Sequence, residues 1–239
     1  MRILLPPSET KDIGGSDSSL AERPIEDPLS EARSEVIDTL LRLCADSAVA
    51  AKALKLGPKQ LVDIDRNLEL LTSATMPAIE RYTGVLFDAL KADGLPKTEQ
   101  LMIQSSLFGL IPASTNIPYY RLSWDGKFPE LNLKKHWQAA HQDFFDGFDG
   151  VLDMRSKSYQ QLAPVEAVDS WIVEVLVEYA DGSKKPLNHF NKKAKGVFAK
   201  HAANSQIKSI DQAFEIAGQA GQRAEVEGSI LTLIVPEGY

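Results

Sequence analysis

The chain has 239 residues, 44% hydrophobic and 25% charged, a composition that fits a soluble globular protein and excludes disorder over most of its length. The net charge of -7 argues against a protein coated with nucleic acid or lipid, although it leaves room for local basic patches. Cys44 is the only cysteine, which excludes an internal disulfide and a thiolate zinc cluster. No apolar run approaches the roughly 20 residues of a membrane helix. Residues 3–5 are too short for a signal-peptide core, so we predict a cytoplasmic protein without membrane contact.

The first half of the chain predicts one buried strand followed by helices. Residues 3–5 are apolar at consecutive positions, as in a central strand, and the glycines, prolines and polar residues of 12–30 predict an exposed loop. Ser30 is the expected N-cap of the first helix. Apolar residues at helical spacing predict helices over 30–44, 46–56, 58–71 and 77–92.

The second half mixes strands and helices. Residues 101–124 predict a strand or short helix that leads into a long ordered loop, and a strand is expected just after Gly150. Alternating valines and the turn sequence Asp181-Gly182 predict a hairpin over 171–188. The remaining elements are helices over 133–146, 189–203 and 210–219 and a last strand over 230–235. Interleaved strands and helices predict an α/β or α+β fold with a central mixed sheet, and we treat residues 1–239 as a single domain.

The segment after the first strand combines two prolines with Ser8, Glu9, Thr10 and Lys11. Ser8 and Lys11 have the spacing with which a lysine activates a serine nucleophile, but the partner motifs of such enzymes are absent from the sequence. A structural turn with a solvated lysine is one alternative. The other is a loop that faces an anionic ligand, because it lies directly beyond the carboxyl end of a predicted central strand.

Between Gly182 and Ile210 there are seven lysines and no acidic residue. This contrast with the net charge of -7 indicates an anionic partner, although a solvated basic helix face is the more frequent explanation of an isolated run. Further cations lie beside predicted turns or strand ends: Arg81, Arg121, Arg155 and Lys157. Tyr119 and Tyr120 precede Arg121, so aromatic rings could stack on a base there or could close a loop over the core.

Other common site motifs are missing. The sequence has no glycine-rich nucleotide loop and no G-x-S-x-G hydrolase elbow. Its four histidines form no H-x-x-x-H pair, so neither a metal nor a cofactor is predicted.

Five segments occur in the order seen in one known family: LLPPSETK, RYTGVLFDAL, SSLFGLIPASTNIPYYRLSW, VLDMRSKSY and NKKAKGVFAK. On these segments, which extend over nearly the whole chain, the sequence resembles the YaaA family. The resemblance implies a cytoplasmic protein of bacterial peroxide stress that limits damage by free iron. It also implies a mixed α/β fold with a positively charged cleft, for which DNA binding has been proposed.

The matching positions are Pro7, Ser8, Lys11, Tyr82, Gly84, Gly109, Pro112, Tyr120, Arg121, Leu122, Tyr159, Lys193, Lys195 and Gly196. The chain departs from the family pattern at three places: Ile111 stands where an arginine is frequent, Phe87 where a tyrosine is common, and Lys195 where an arginine is common. Because lysine is a point donor, the last exchange weakens a bidentate grip on phosphate.

We therefore expect distant segments to bring cations together in one cleft. The candidate anion-binding or nucleic-acid-binding residues are Ser8, Lys11, Arg81, Tyr82, Tyr119, Arg121, Arg155, Lys157, Lys192, Lys193 and Lys195. Binding of DNA or another polyanion is the leading hypothesis. The alternative is an enzyme for a small phosphorylated or carboxylated metabolite, with Glu9 or Tyr120 transferring protons. Direct iron handling ranks third, and a monomer is expected.

Overall fold

A computed structural model describes residues 1–166, 168–186 and 191–239 of the chain. The strands are β1 (Arg2–Leu5), β2 (Met76–Pro77), β3 (Leu101–Ser105), β4 (Gly109–Pro112), β5 (Asn116–Ile117), β6 (Val151–Asp153), β7 (Ser170–Glu178), β8 (Lys184–Pro186), β9 (Arg223–Glu227) and β10 (Ile230–Pro236). The helices are α1 (Ser30–Cys44), α2 (Ser47–Ala53), α3 (Val62–Leu68), α4 (Ala78–Arg81), α5 (Val85–Lys91), α6 (Leu133–Ala140), α7 (Lys157–Gln160), α8 (Asn191–Asn204) and α9 (Gln212–Gln219).

The predicted mixed sheet with surrounding helices is confirmed. Eight strands form one sheet in the order β4-β3-β1-β6-β7-β10-β9, with β8 paired to β7. The five central strands of the sheet are parallel: β3, β1, β6, β7 and β10. The strands β4, β8 and β9 pair with their neighbours antiparallel. β1 is covered on both faces because Ile3, Leu4 and Leu5 are all fully buried, which is why its sequence is continuously apolar. The prediction of a single domain is not tested by this sheet and stays a prediction.

Most predicted elements are present, with shorter bounds. Asp46 caps α2 by accepting hydrogen bonds from the amides of Ala48 and Val49. Ser30, in contrast, is the first residue of α1 and not its N-cap; its hydroxyl contacts the loop before the helix, at Ile25 and Asp27. Residues 101–124, predicted as a strand or short helix that leads into a long ordered loop, begin with the antiparallel pair β3–β4. The strand β9 and the helix α7 were not predicted, and residues 189–190 of a predicted helix lie outside the described residues.

The helix predicted over 77–92 is two helices, α4 and α5, separated by Tyr82, Thr83 and Gly84. Gly84 has φ +96° and precedes α5, a conformation that glycine adopts without a steric cost. Tyr82 is extended and pairs with Lys11 in an isolated antiparallel bridge. The backbone groups freed by the break therefore pair with the segment that follows β1, which the helical spacing could not indicate.

Candidate functional site at the carboxyl ends of the central strands

Three parallel neighbours, β3, β1 and β6, end at the same edge of the sheet. Leu5 pairs with Ile103 of β3, and Leu4 pairs with Asp153 of β6. The carboxyl edge of parallel strands is where open α/β sheets bind ligands. The chain segments that leave this edge are residues 6–11, hereafter the elbow, residues 105–108, and residues 154–156.

A cavity of about 460 Å³ lies at the elbow. We call it the elbow cavity. Its lining comes from the elbow, the start of α5, the loop before α7, and α8: Pro6, Pro7, Ser8, Glu9, Thr10, Thr83, Gly84, Val85, Leu86, Phe87, Trp124, Ser156, Tyr159 and Lys192. This volume is in the range of small-molecule sites, about 300–1,000 Å³.

The elbow is held in place by backbone pairing across the break between α4 and α5. The amide of Asp12 donates to the carbonyl of Arg81 at 2.8 Å, and the amide of Thr83 donates to the carbonyl of Thr10 at 3.2 Å. A Cβ atom at Gly84 would lie 3.3 Å from the hydroxyl oxygen of Thr10. Since Pro6 and Pro7 also restrict φ, the polar groups that follow β1 are fixed at the cavity wall.

Below the elbow, three hydroxyl groups form a buried hydrogen-bonded chain. The Ser105 Oγ is 2.8 Å from the Tyr120 hydroxyl, which is 2.7 Å from the Tyr82 hydroxyl. Because Ser105 Oγ already accepts from the amides of Leu107 and Phe108, its own proton is directed to Tyr120, whose proton then goes to Tyr82. Burial raises the pKa of Tyr82 to about 12 and that of Tyr120 well above its usual value, so both phenols stay protonated.

Lys11 lies over this chain and is partly buried. Its Nζ donates to the carbonyl of Ser8 at 3.0 Å and is 4.4 Å from the ring centroid of Tyr120 and 5.5 Å from that of Tyr82. Burial lowers the pKa of Lys11 to about 7, since removing the ammonium from water disfavours the charged form; the positive charge of Arg121 acts in the same direction and the carboxylate of Glu9 opposes it.

Arg121 and Glu9 form an ion pair beside Lys11. The Nη1 of Arg121 is 3.1 Å from the Oε2 of Glu9 and also donates to the Glu9 carbonyl. Asn67 fixes the backbone of Arg121 because its side-chain amide bonds both the amide and the carbonyl of that residue. Of the three predicted arginines, Arg121 is therefore the one that bonds the elbow, at Glu9.

Two other predicted cations do not reach the cavity. Arg81 is fully buried and donates to the carbonyls of Ile117, Asp12 and Ala74. Arg155 is 2% exposed and bonds Asp153, Gln104 and the carbonyl of Ala163. Each of these two guanidinium groups donates four hydrogen bonds in the interior, so it stabilises loops and is not positioned to contact a ligand in the cavity.

The lysines and Tyr119 are divided between the cavity and other surfaces. Lys192 lines the elbow cavity, and Lys157 is exposed at the start of α7. Lys193, which follows Lys192 in α8, has its Nζ 4.9 Å from the ring centroid of Tyr239. Burial lowers the pKa of Lys195 to about 8, and its Nζ donates to the carbonyl of Met154 at 3.2 Å. The hydroxyl of Tyr119 donates to Asp63, and Tyr119 does not line the elbow cavity.

The structure therefore brings together Ser8, Glu9, Lys11, Tyr82, Tyr120, Arg121 and Lys192. Several polar or aromatic residues of the same site were not among the predicted binding residues: Asn67, Thr83, Ser105, Trp124 and Ser156. Thr10 was predicted only as part of the elbow, and Tyr159 only as a family match. Ser105 and Ser156 lie at the carboxyl ends of predicted strands. The argument that identified Ser8, namely that ligands bind beyond the carboxyl ends of central strands, therefore applied to them as well.

Within residues 1–166, 168–186 and 191–239, no three histidine, cysteine or acidic side chains are grouped closely enough to hold a metal ion. The described helices also include none whose length and apolar content would allow it to cross a bilayer.

Comparison with known proteins decides the family. The family model described as peroxide stress protein YaaA matches residues 1–221. The chain belongs to the peroxide stress protein YaaA family. The family resemblance inferred from the five segments is therefore confirmed, and the description of the family supports a role in peroxide stress.

Relatives of this YaaA family member extend over most of its length. A UPF0246 protein of Corynebacterium glutamicum strain R is 39% identical, and the alignment covers 98% of this chain and all of that protein. A UPF0246 protein of Streptomyces coelicolor is 36% identical over 82% of this chain and 80% of its own. A third, from Streptococcus gordonii, is 26% identical over 75% of this chain and 79% of its own.

Proposed function

We propose that this YaaA family protein acts in peroxide stress by binding a small anionic ligand, a carboxylate or phosphate, in the elbow cavity. The observation that carries the proposal is the position of this cavity, at the carboxyl ends of three parallel strands and lined by hydroxyl groups and Lys192. In the response that the family resemblance implies, such binding would serve to limit iron-dependent oxidative damage.

The charges around the cavity support an anion. Lys192 lines it, and Lys11 and Arg121 lie directly at the elbow, whereas Glu9 is the acidic residue of the lining. Glu9 is itself paired with Arg121, so an incoming carboxylate or phosphate meets the remaining positive charge of the two lysines. A preformed cavity of this size suits a small molecule, and a nucleic-acid duplex could only lie across its rim.

Binding of DNA is the second candidate, and exposed lysines favour it. Lys157, Lys192 and Lys193 are exposed near the rim of the cavity or on the neighbouring turn of α8. The positions of Arg81 and Arg155 argue against DNA binding. Both form hydrogen bonds in the interior, so two of the arginines expected to contact phosphates do not face a ligand. We therefore place DNA binding below the small ligand.

Trp124 lines the cavity and is 43% exposed, so its fluorescence reports on occupancy. We expect inorganic phosphate or pyruvate to change the emission of the wild type saturably and to have no effect on Trp124→Phe. Lys192→Ala should weaken binding by at least about tenfold, because a charge-assisted hydrogen bond contributes about 1.5–3 kcal/mol and each 1.4 kcal/mol is about a factor of ten. Lys193→Ala is the matched control, since Lys193 lies over Tyr239 instead of in the cavity.

The same two variants distinguish the candidates. If the ligand is DNA, a double-stranded oligonucleotide binds with a steep salt dependence, and both lysine variants weaken it to a similar degree. The small-ligand proposal is refuted if neither anion alters Trp124 emission or if Lys193→Ala weakens anion binding as much as Lys192→Ala does.

A further inference from the structure

The amine of Lys11 has an environment that a structural lysine does not need. Its Nζ makes one hydrogen bond, to the Ser8 carbonyl, and otherwise faces the rings of Tyr120 and Tyr82. The ion pairs found among the described residues do not include it. An ammonium that serves only to stabilise a buried loop is expected to have a carboxylate partner or several carbonyls.

The charged groups around Lys11 do not favour its protonated form strongly. Glu9 and Asp63 are the nearby acids, and Arg121 and Arg81 are the nearby bases. Both carboxylates are already occupied, because Glu9 pairs with Arg121 and Asp63 pairs with Arg66 at 2.7 Å. Burial lowers the pKa of Lys11 to about 7 in these surroundings, so a substantial fraction of the amine is neutral at physiological pH.

Lys11 is also one residue away from the lining of the elbow cavity. Ser8, which accepts its hydrogen bond, and Thr10, which precedes it in the chain, both line the cavity. Lys11 retains partial exposure, and Glu9 of the lining lies against Arg121. The amine of Lys11 and the guanidinium of Arg121 therefore each bond a residue of the lining, Ser8 and Glu9 respectively, at the carboxyl end of β1.

We propose that Lys11 is a nucleophilic amine that forms an imine with a small aldehyde or 2-oxo acid bound in the elbow cavity, where Arg121 exchanges Glu9 for the carboxylate of the ligand. This inference rests on the proposed function, since it names the reactive group and the ligand class for the same cavity. Lysines that form imines act as the neutral amine, and desolvation beside another cation is the usual way to obtain it.

The reaction needs no oxidant or metal. The lone pair of the neutral Nζ forms a bond to the carbonyl carbon, and the π electrons move to the oxygen, which takes up a proton to give a carbinolamine. The nitrogen then expels this oxygen as water as it loses its second hydrogen, so one amine and one carbonyl give one imine and one water. Glu9, which lines the cavity and is half-exposed, exchanges the protons with solvent.

Reductive trapping tests the proposal on the wild-type protein. Glyoxylate carries both an aldehyde and a carboxylate, and sodium cyanoborohydride converts its imine into a stable carboxymethyl group that peptide mass mapping locates. We expect Lys11 to be modified at least about tenfold faster at pH 7 than exposed lysines, because about half of its amines are neutral whereas an ordinary lysine is almost fully protonated. The rate at Lys11 should level off above pH 7 to 8 and continue to rise at exposed lysines.

Lys195 is the matched internal control. Burial lowers its pKa as well, to about 8, but its Nζ donates to Met154, which does not line the cavity, whereas the acceptor of Lys11, Ser8, does. Excess phosphate, which has no carbonyl group to form an imine, should protect Lys11 and leave Lys195 unchanged, and Lys11→Met should abolish the modification at this position.

The inference is overturned if Lys11 is unmodified, or is modified no faster than Lys195 or the exposed Lys192. That failure is distinguishable from failure of the proposed function: the Trp124 response to phosphate would persist if only the imine is absent, and would be missing if the cavity binds no anion.

Discussion

The helices α5 and α8 both contribute residues to the lining of the elbow cavity, and Gly196 allows their close contact. A Cβ atom at Gly196 would overlap the carbonyl oxygen of Leu86, 3.2 Å from its carbonyl carbon, and would lie 2.9 Å from the Cβ of Ala89. Carbon atoms in contact are normally about 3.5–4.0 Å apart. Because the obstructing atoms belong to the backbone of α5, the helix itself must move away in a Gly196→Ala variant.

The expected loss follows from two opposing terms. Overpacking costs about 1–3 kcal/mol, and we expect the upper end here since no flexible side chain can yield. Alanine recovers about 1 kcal/mol of helix propensity over glycine. The free energy of unfolding should therefore fall by about 2 kcal/mol, and the melting temperature by about 4–8 °C for a chain of this length.

Urea and thermal unfolding followed by circular dichroism measure this loss, and Gly218→Ala is the control. Gly218 lies in α9 with no atom within 4 Å of the position that a Cβ would take. Its replacement should raise the free energy of unfolding by about 0.5–1 kcal/mol. The argument is refuted if Gly196→Ala is as stable as the wild type, or if Gly218→Ala loses as much.

Three further variants test the interpretation of the site. Lys11→Met should be more stable than the wild type by up to about 5 kcal/mol near pH 6, because the pKa of Lys11 is lower in the folded than in the unfolded protein. The free energy of unfolding of the wild type should therefore rise between about pH 7 and 10.5, so that the advantage of the variant disappears by pH 10.5. Denaturation across that pH range measures the difference. Arg81→Met should lose about 3–5 kcal/mol in urea unfolding, because three carbonyl groups lose their donor, and a loss below 1 kcal/mol would contradict its structural role. Glu9→Gln should tighten phosphate binding several-fold in the Trp124 fluorescence assay, since it frees Arg121 from its carboxylate partner; unchanged or weaker binding would count against the charge model.

Local sequence patterns were sufficient for several elements of the fold. The continuous apolar run of residues 3–5 indicated a strand buried on both faces, and Asp181-Gly182 indicated a tight turn in the hairpin of β7 and β8. These features depend on residues that are adjacent in the chain, so their energetics can be read directly from the sequence.

The break at Gly84 could not be read in the same way. Residues 77–92 have helical spacing, and a single glycine costs a helix only about 1 kcal/mol. The break is stabilised by pairing between Tyr82 and Lys11, which are far apart in sequence. Local propensity is outweighed by these tertiary hydrogen bonds.

The sequence by itself determined the family and the central mixed sheet, and it predicted a ligand site at the elbow that follows β1. Only the tertiary structure decided which of the predicted cations lie at the elbow cavity: Lys192 lines it and Arg121 pairs with Glu9 of its lining, whereas Arg81 and Arg155 are bonded in the interior. The physical reason is that residue type fixes a charge, while burial and hydrogen-bond partners, which determine whether that charge is available to a ligand, come from segments distant in the chain.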